Sequence, residues 1–438
     1  MKASGPTTME FIKGVKQTTP DFFNDLRKKY GGIVRCKVPF VRPMYLLSHP
    51  DYAKYVLSHH AVNFVRQDFV SRRFRALFGN GSVVAEGDLW AQQRKIISPV
   101  FQKKYLENVF HILESQTEHL IEKWKAKARA GEFVEVHSEM QNLTLDMLWR
   151  VLFGYPTDGI RDQVFKPAEL GIDYVGAPVP FYFSKWLPTY ANLTFYFSNK
   201  KLENLILNIV QERRKEIGKR GDLLDFLLQY KNPETGQGLS DRLIVEEIKT
   251  MTPAGYLTTS AAVAWLFFEL GHNPGHIKEI NDECQLVWGE GSFDYEKMSR
   301  LKKTTNCLFE ALRLHPTGWT IWRSAVEADE IGGYEIEPGA TIITSPYTTH
   351  RNPDFWENPE SFYPNRDFFS ATDYSFFPFG MGPRKCLGEN LAMIEMLIIV
   401  PMILKTFRFS LVKGQPFETD HRVILTPKPG VKVMLEEI

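Results

Sequence analysis

The chain is poor in cysteine: Cys36, Cys284, Cys307 and Cys386 are the four in 438 residues, and no two stand at a paired spacing. A disulfide framework is therefore excluded as the basis of the fold, and a reducing compartment is expected. Long apolar runs are missing too. The longest, Met396 to Leu404, contains Pro401 and falls far short of the ~20 residues that span a bilayer. The N-terminal Met1-Lys2-Ala3-Ser4-Gly5-Pro6 has no apolar h-region, which argues against secretion and for a cytoplasmic location. Charge of one sign is not in excess, since 53 basic against 52 acidic residues leave a net +1. That balance gives no reason to expect a nucleic-acid partner. Length alone would suggest about three domains, but there is no Gly/Ser or Pro-rich linker, repeat or low-complexity tract to divide them. A single domain over residues 1–438 is expected, and the 43% of hydrophobic residues can furnish a large core.

Against this background one segment stands out: Phe379-Gly380-Met381-Gly382-Pro383-Arg384-Lys385-Cys386-Leu387-Gly388. It reads as a tight loop that opens a helix, because Leu391, Ile394, Leu397 and Ile398 follow on one apolar helical face. A thiolate at Cys386 would be stabilised by the positive end of that helix and by the nearby Arg384. Glycines let a backbone lie flat against a large planar ligand. A thiolate held open beneath such a surface is the proximal ligand a haem iron needs for splitting an O–O bond. The plain alternative is an ordinary buried free cysteine.

The segment resembles the haem-binding loop of the cytochrome P-450 family, the haem-thiolate monooxygenases, and other motifs follow that family's order. Glu310-x-x-Arg313 lies on an apparent helix Thr304–Leu314, and Phe362-x-Pro364-x-Arg366-x-Phe368 supplies the third member of the family's buried Glu–Arg–Arg cluster. Without the second motif, the first would be a common exposed ion pair of little worth. Trp90-x-x-x-Arg94, Arg323 and Arg384 match groups that reach haem propionates, for which a bidentate arginine is suited. The matches span roughly residues 20 to 435. The resemblance implies haem b as cofactor, Cys386 as the iron ligand, and Phe379 and Gly388 as flanks of the binding loop.

The expected fold class is mainly α with small β-sheets. Helical apolar spacing covers Glu107–Lys127, Leu202–Gly218 and Asp241–Gly271, and Trp90 and Arg94 share a helix after Gly87-Asp88. Strand-like stretches occur at Ile33–Val38, Met44–Ser48, Thr341–Ser345, Phe407–Leu411 and Val431–Leu435. An aromatic stretch from Phe181 to Pro188, followed by Phe195-Tyr196-Phe197, reads either as core packing or, by resemblance, as a lid over an apolar substrate.

One position departs from the family pattern. Where the family has Ala-Gly-x-acid-Thr-Thr, this chain reads Ala254-Gly255-Tyr256-Leu257-Thr258-Thr259. By resemblance, Ala254 and Gly255 permit a local opening of the helix beside dioxygen, aided by Pro253, which lacks a backbone donor. Thr258 matches the alcohol that organises oxygen and protons. Leu257 replaces the proton-relaying acid and can neither donate nor accept. A positioned acid or base contributes about 10²–10⁴-fold to a step, so the loss implies either another water route or a substrate that carries its own N–H or O–H.

Arg66, Arg72, Arg73 and Arg75 precede Trp90, either as a solvated face or with one of them orienting a substrate anion. Lys95, Lys103, Lys104 and Lys385 could form a basic patch for an acidic donor protein. No flavin or iron–sulfur motif is found, and no room remains for one after Cys386, so electrons are expected from a separate ferredoxin or flavoprotein. A monomer is expected. Three activities stay open: insertion of one oxygen atom into a small apolar or aromatic molecule, in keeping with natural-product biosynthesis; oxidative ring closure or coupling at the same haem; or non-catalytic ligand binding. Retention of Thr258 speaks against the third.

Overall fold

The computed structural model describes residues 1–17, 19–37, 42–177, 189–289, 294–368 and 374–438. Its centre is the helix Asp241–His272. Ser240 starts it, its hydroxyl accepting the Leu243 N–H at 3.2 Å and so satisfying one of the orphan donors of the first turn. Val263 to Phe267 are buried on every side, so the helix has no solvent face there and must run through the core. Polar side chains survive that burial by bonding backward: Thr250 and Thr252 each donate to the carbonyl four residues earlier at 2.7 Å.

The helix Val136–Phe153 packs along it. Thr144 Oγ1 donates to the Tyr256 carbonyl at 3.1 Å, and Trp149 Nε1 to Thr252 Oγ1 at 3.2 Å. Gly255 makes the approach possible, because a Cβ there would lie 2.6 Å from Leu148 Cδ1 and displace it. The helix Glu389–Thr406 forms the other side of the core. Leu391, Ile394, Leu397 and Ile398 are buried as their spacing predicts. Pro401 does not break this helix, which continues through it with every residue from Met396 to Leu404 buried. Among the described residues no helix is long and apolar enough to cross a membrane.

A five-stranded sheet joins distant parts of the chain in the order Ile33–Cys36, Met44–Leu47, Thr341–Thr344, Ile321–Ala325, Phe64–Val65. Met44–Leu47 runs parallel to Thr341–Thr344, and the other pairs are antiparallel. A smaller sheet pairs Lys432–Glu437 with Val134–Glu135 on one side and Phe407–Leu411 on the other. The mainly helical class with small sheets is thus the one observed. One helix differs from its sequence pattern: it spans Tyr190–Arg213, not 202–218, with Thr189 capping Asn192 at 3.2 Å. Its first turns carry exposed Tyr196 and Phe197, so apolar periodicity gives no sign of them. The 181–188 stretch read as a lid lies outside the described residues.

Glu310, Arg313 and Arg366 meet. Glu310 accepts from Arg313 Nε at 2.7 Å and Nη2 at 2.8 Å, from Arg366 Nε at 3.0 Å, and from the Tyr363 N–H at 2.8 Å. Arg313 also donates to the carbonyls of His350 and Pro359, at 2.8 and 2.7 Å. Both side chains of the Glu310–Arg313 pair are fully buried, and both Glu310 oxygens accept hydrogen bonds, which is what makes the burial tolerable. His350 in turn accepts the Phe377 N–H on Nε2 at 3.0 Å. Burial and the neighbouring Arg313 and Arg351 hold its imidazole well below the ordinary histidine range, so it stays neutral and able to accept. Glu310→Ala leaves Arg313 as an uncompensated buried cation, and denaturant unfolding should show a loss of ~3–5 kcal/mol. Unchanged stability would show that the cluster is not holding the fold.

Candidate active site

A cavity of about 420 Å³ lies between the long helix and the loop 378–388. Ala254, Gly255, Thr258 and Thr259 line one wall and Cys386 the opposite side, with Trp90, Arg94, Arg323 and Arg384 along the edge. Phe379 and Gly388 complete the cysteine loop. Of the eleven site positions singled out by sequence, the cavity gathers all but Leu257.

The loop is shaped for its purpose. The Cys386 N–H donates to the Phe379 carbonyl at 2.8 Å, folding the segment back on itself. Gly380 and Gly382 have φ of +69° and +68°, a region L side chains avoid. At Gly382 a Cβ would also lie 2.0 Å from the Leu57 carbonyl oxygen. Gly388 has an ordinary φ of −82°, and a Cβ there would make only normal contact with Phe101.

Cys36, Cys284 and Cys307 are buried, and burial pushes each thiol up to about 12. Cys386 differs, since its sulfur is open to the cavity although protein surrounds it. Burial raises its pKa as well, while the Gly388 N–H, Arg94 and Lys385 act against that rise. This corrects the expectation for Arg384, which is turned elsewhere. Its Nη2 lies 2.7 Å from Glu86 Oε2, and its guanidinium stacks 3.9 Å from the Trp90 ring.

The cavity edge holds a concentration of buried cations. Arg323 is pushed down to about 9 by burial and by repulsion from Arg66 and Arg384. Arg384 is pushed down to about 10, again chiefly by burial. Arg66 Nε and Arg384 Nη1 are buried without hydrogen-bond partners. Such a set calls for anionic groups from a bound molecule. Haem fits: its carboxylates answer the orphaned guanidinium donors, and its flat face answers the glycine loop beneath which Cys386 lies.

Arg66 therefore belongs to the cavity. Arg73 instead serves the carbonyls of Tyr174 and Ala177, and Arg75 that of Val84 at 2.9 Å. The distal helix also departs from expectation. It is continuous through 253–259, with Thr258 Oγ1 donating to the Ala254 carbonyl at 2.9 Å and Thr259 Oγ1 to that of Gly255 at 3.1 Å. Gly255 is needed for packing on Leu148. Leu257 is 7% exposed, packs in the core and does not line the cavity.

Sequence reading missed three carboxylates. Glu86 pairs with Arg384 and accepts the Arg66 N–H at 2.6 Å. Glu247, raised to about 7 by burial, accepts from the Ser82 N–H at 3.0 Å, Ser82 Oγ at 2.5 Å and Gln93 Nε2 at 3.1 Å. It fastens the Ser82–Val83 cavity wall to the long helix. Glu395 lines the cavity from the helix below. A lone acid within the apolar stretch Leu391–Leu404 was the available signal for it.

Comparisons with known proteins agree with this geometry. A family model described as Cytochrome P450 matches residues 5–435. Cyclooctatin synthase from Streptomyces melanosporofaciens is 30% identical over 396 residues, covering 89% of this chain and 85% of its own. Cyclooctat-9-en-7-ol 5-monooxygenase of the same organism is 29% identical over 380 residues, covering 84% and 81%. The chloroplastic LUTEIN DEFICIENT 5 protein of Arabidopsis thaliana is 27% identical, covering 88% and 69%. The crystal structure of the cytochrome P450DA heme domain superimposes with a TM-score of 0.87 over 100% of this chain and 98% of that one, at 22% identity.

Arg323→Gln removes a charge-assisted contact worth about 1.5–3 kcal/mol, so haem should pass to a scavenging protein ~10–100-fold faster. The haem-free polypeptide should be no less stable, because a repelled buried cation has gone. An unchanged transfer rate would mean that Arg323 does not anchor the cofactor.

Proposed function

The chain belongs to the cytochrome P450 family and is a haem-dependent monooxygenase, and from this we propose that it oxidises a mainly apolar small molecule that carries a hydroxyl or amine. A P450 monooxygenase uses an organic substrate, dioxygen and electrons from a donor. When bound, haem supplies the redox chemistry and oxygen activation; the remaining work falls to the protein. Cys386 would hold the iron, and Arg66, Arg94, Arg323 and Arg384 with Trp90 would anchor the carboxylates. Residues 1–438 would act as one haem-binding unit.

The same cavity is lined by Leu148, Leu152, Val83, Met251 and Ile321, with hydroxyls only at Thr258, Thr259, Thr317, Thr320 and Ser82. That lining is the observation carrying the substrate class: an apolar body is desolvated favourably, and a few hydroxyls can fix one polar group. Thr258 would orient a proton donor toward the reaction. The relative named for cyclooctat-9-en-7-ol, an alcohol by its name, supports the class and a place in secondary metabolism.

We assign electron supply to a separate ferredoxin or flavoprotein docking beside the cysteine loop. Lys95, Lys103, Lys104 and Lys385 are exposed there, although Lys385 lies 2.6 Å from Glu389 and Lys103 3.5 Å from Glu107, which lowers the net field. Oxygen insertion is the primary reading, and ring closure without oxygen retention the second, favoured by the leucine at 257.

The decisive experiment combines ligation and product. The reduced, carbon-monoxide-bound protein should show the red-shifted Soret band of thiolate ligation, and Cys386→Ala should abolish it. Candidate carbocyclic alcohols should shift the haem spin state on binding. Turnover under labelled dioxygen should then place one labelled atom in the product; oxidised product without label would select ring closure instead. Survival of the band in Cys386→Ala would overturn the assignment.

A further inference from the structure

The hydroxyls that line the cavity differ in what they offer a bound molecule. The Thr258 and Thr259 protons go to the carbonyls of Ala254 and Gly255, so those oxygens meet a ligand as acceptors. Thr320 Oγ1 accepts the Trp322 Nε1–H at 3.0 Å, which leaves its own proton available, and Thr317 stands on the same segment. Ser82 is the most tightly defined of the set. Its Oγ lies 2.5 Å from Glu247 Oε1, and its N–H donates to Glu247 Oε2 at 3.0 Å. Gln93 Nε2 donates to that same Oε2 at 3.1 Å and to the Asn80 carbonyl at 2.8 Å. Both donors at Oε2 are N–H groups, so Oε1 is left to the hydroxyl, and an ionised carboxylate only accepts. The Ser82 proton therefore belongs to Glu247, in the short charge-assisted bond expected of O–H···O⁻. What Ser82 turns to the cavity it lines is lone pairs, strengthened as acceptors by that polarised bond. The segment is pinned to the long helix on either side of Gly81. The Asn80 N–H donates to Glu246 Oε2 at 3.0 Å, and a Cβ on Gly81 would collide with Thr250 Oγ1.

We propose that Ser82 is the specificity-determining residue for the substrate's polar group, an acceptor locked by Glu247 that takes an O–H or N–H and rejects a carbonyl. The inference rests on the substrate class proposed above and adds the direction of its hydrogen bond. Two acceptors facing each other stay desolvated without a partner, so a ketone at Ser82 forfeits the contact and bears the cost of burial. Glu247 does not touch the substrate and is a positioning residue. Its replacement by glutamine has a determined outcome. The Ser82 and Gln93 N–H groups keep the amide oxygen at the Oε2 position, which puts the amide nitrogen at Oε1, where it donates to Ser82 Oγ. The Ser82 proton is thereby released toward the cavity, and the residue turns from acceptor to donor with no change in shape.

The test uses the haem-loaded protein at about pH 8.5, where Glu247, raised by burial to about 7, is ionised. Carbocyclic alcohols, cyclooctanol to cyclododecanol, and the ketones of the same rings are titrated by the haem spin-state shift. Wild type should bind each alcohol ~10-fold or more tightly than its ketone, by the measure of a hydrogen bond lost with its acceptor left buried. Ser82→Ala should bring that ratio to about one through weaker alcohol binding. Ketone binding should not change, which shows the wall still in place. Glu247→Gln should invert the ratio in favour of the ketones, whereas a loss of packing alone would weaken both ligands together. An alcohol preference that survives Ser82→Ala, or a haem-loaded Glu247→Gln that keeps the wild-type ratio, overturns the proposal. Should Glu247→Gln lose haem, Ser82→Ala decides alone. Alcohol and ketone binding wild type equally sinks this inference and leaves the substrate class standing. If neither shifts the spin state of wild type, the substrate class itself fails, and this inference with it.

Discussion

The neutral imidazole of His350 is the joint on which the cysteine loop depends. On one side the His350 carbonyl accepts from Arg313, which the buried carboxylate of Glu310 holds in place. On the other, its ring accepts the Phe377 N–H, and the Phe377 carbonyl accepts the Gly380 N–H at 3.0 Å. From there the Phe379 carbonyl takes the Cys386 N–H. An ion cluster far from the cavity in sequence thus sets the path of the loop that presents the thiol. The low dielectric around these groups makes each bond strong and each vacancy costly, so the chain of contacts behaves as one unit.

Electrostatics at the cavity follow from the same burial. Arg66, Arg323 and Arg384 repel one another, and Glu86 is the carboxylate that touches two of them. Their unsatisfied donors make the cavity edge suited to anionic groups such as the carboxylates of a haem. On the distal side the opposite condition holds. Leu257 is apolar and packs in the core, and the Thr258 and Thr259 hydroxyls are engaged with backbone carbonyls.

The catalytic chamber is set by packing as much as by charge. Gly255 lets the helices 241–272 and 136–153 approach, and this places Leu148 and Leu152 on the cavity wall beside Ala254. Glu247 fastens the Ser82–Val83 segment across the top. Because these contacts are made by the core itself, the shape of the chamber is tied to the stability of the fold.

Local chemistry was legible in the sequence: the Cys386 loop, the long helix with its Ala-Gly and Thr-Thr pairs, the Glu310–Arg313 pair and the apolar face of the 389–406 helix. Each is a short segment whose spacing carries its own meaning, either as helical periodicity or as glycine that must take a positive φ. The sequence likewise announced the missing acid at 257, because an identity at one position needs no neighbours to be read. What it did not reveal depends on residues brought together from distant segments. Arg66 looked like one member of a charged run until the fold placed it beside Arg323 and Arg384. The role expected of Arg384 at the thiol went to Arg94, because Glu86 and Trp90 draw the Arg384 guanidinium away. Glu395 was a single acid in an apolar helix, and only the packing of that helix against 241–272 buried it at the cavity wall. Burial, which shifts pKa and decides which groups lack partners, is a property of the assembled core, and that part the tertiary structure alone decided.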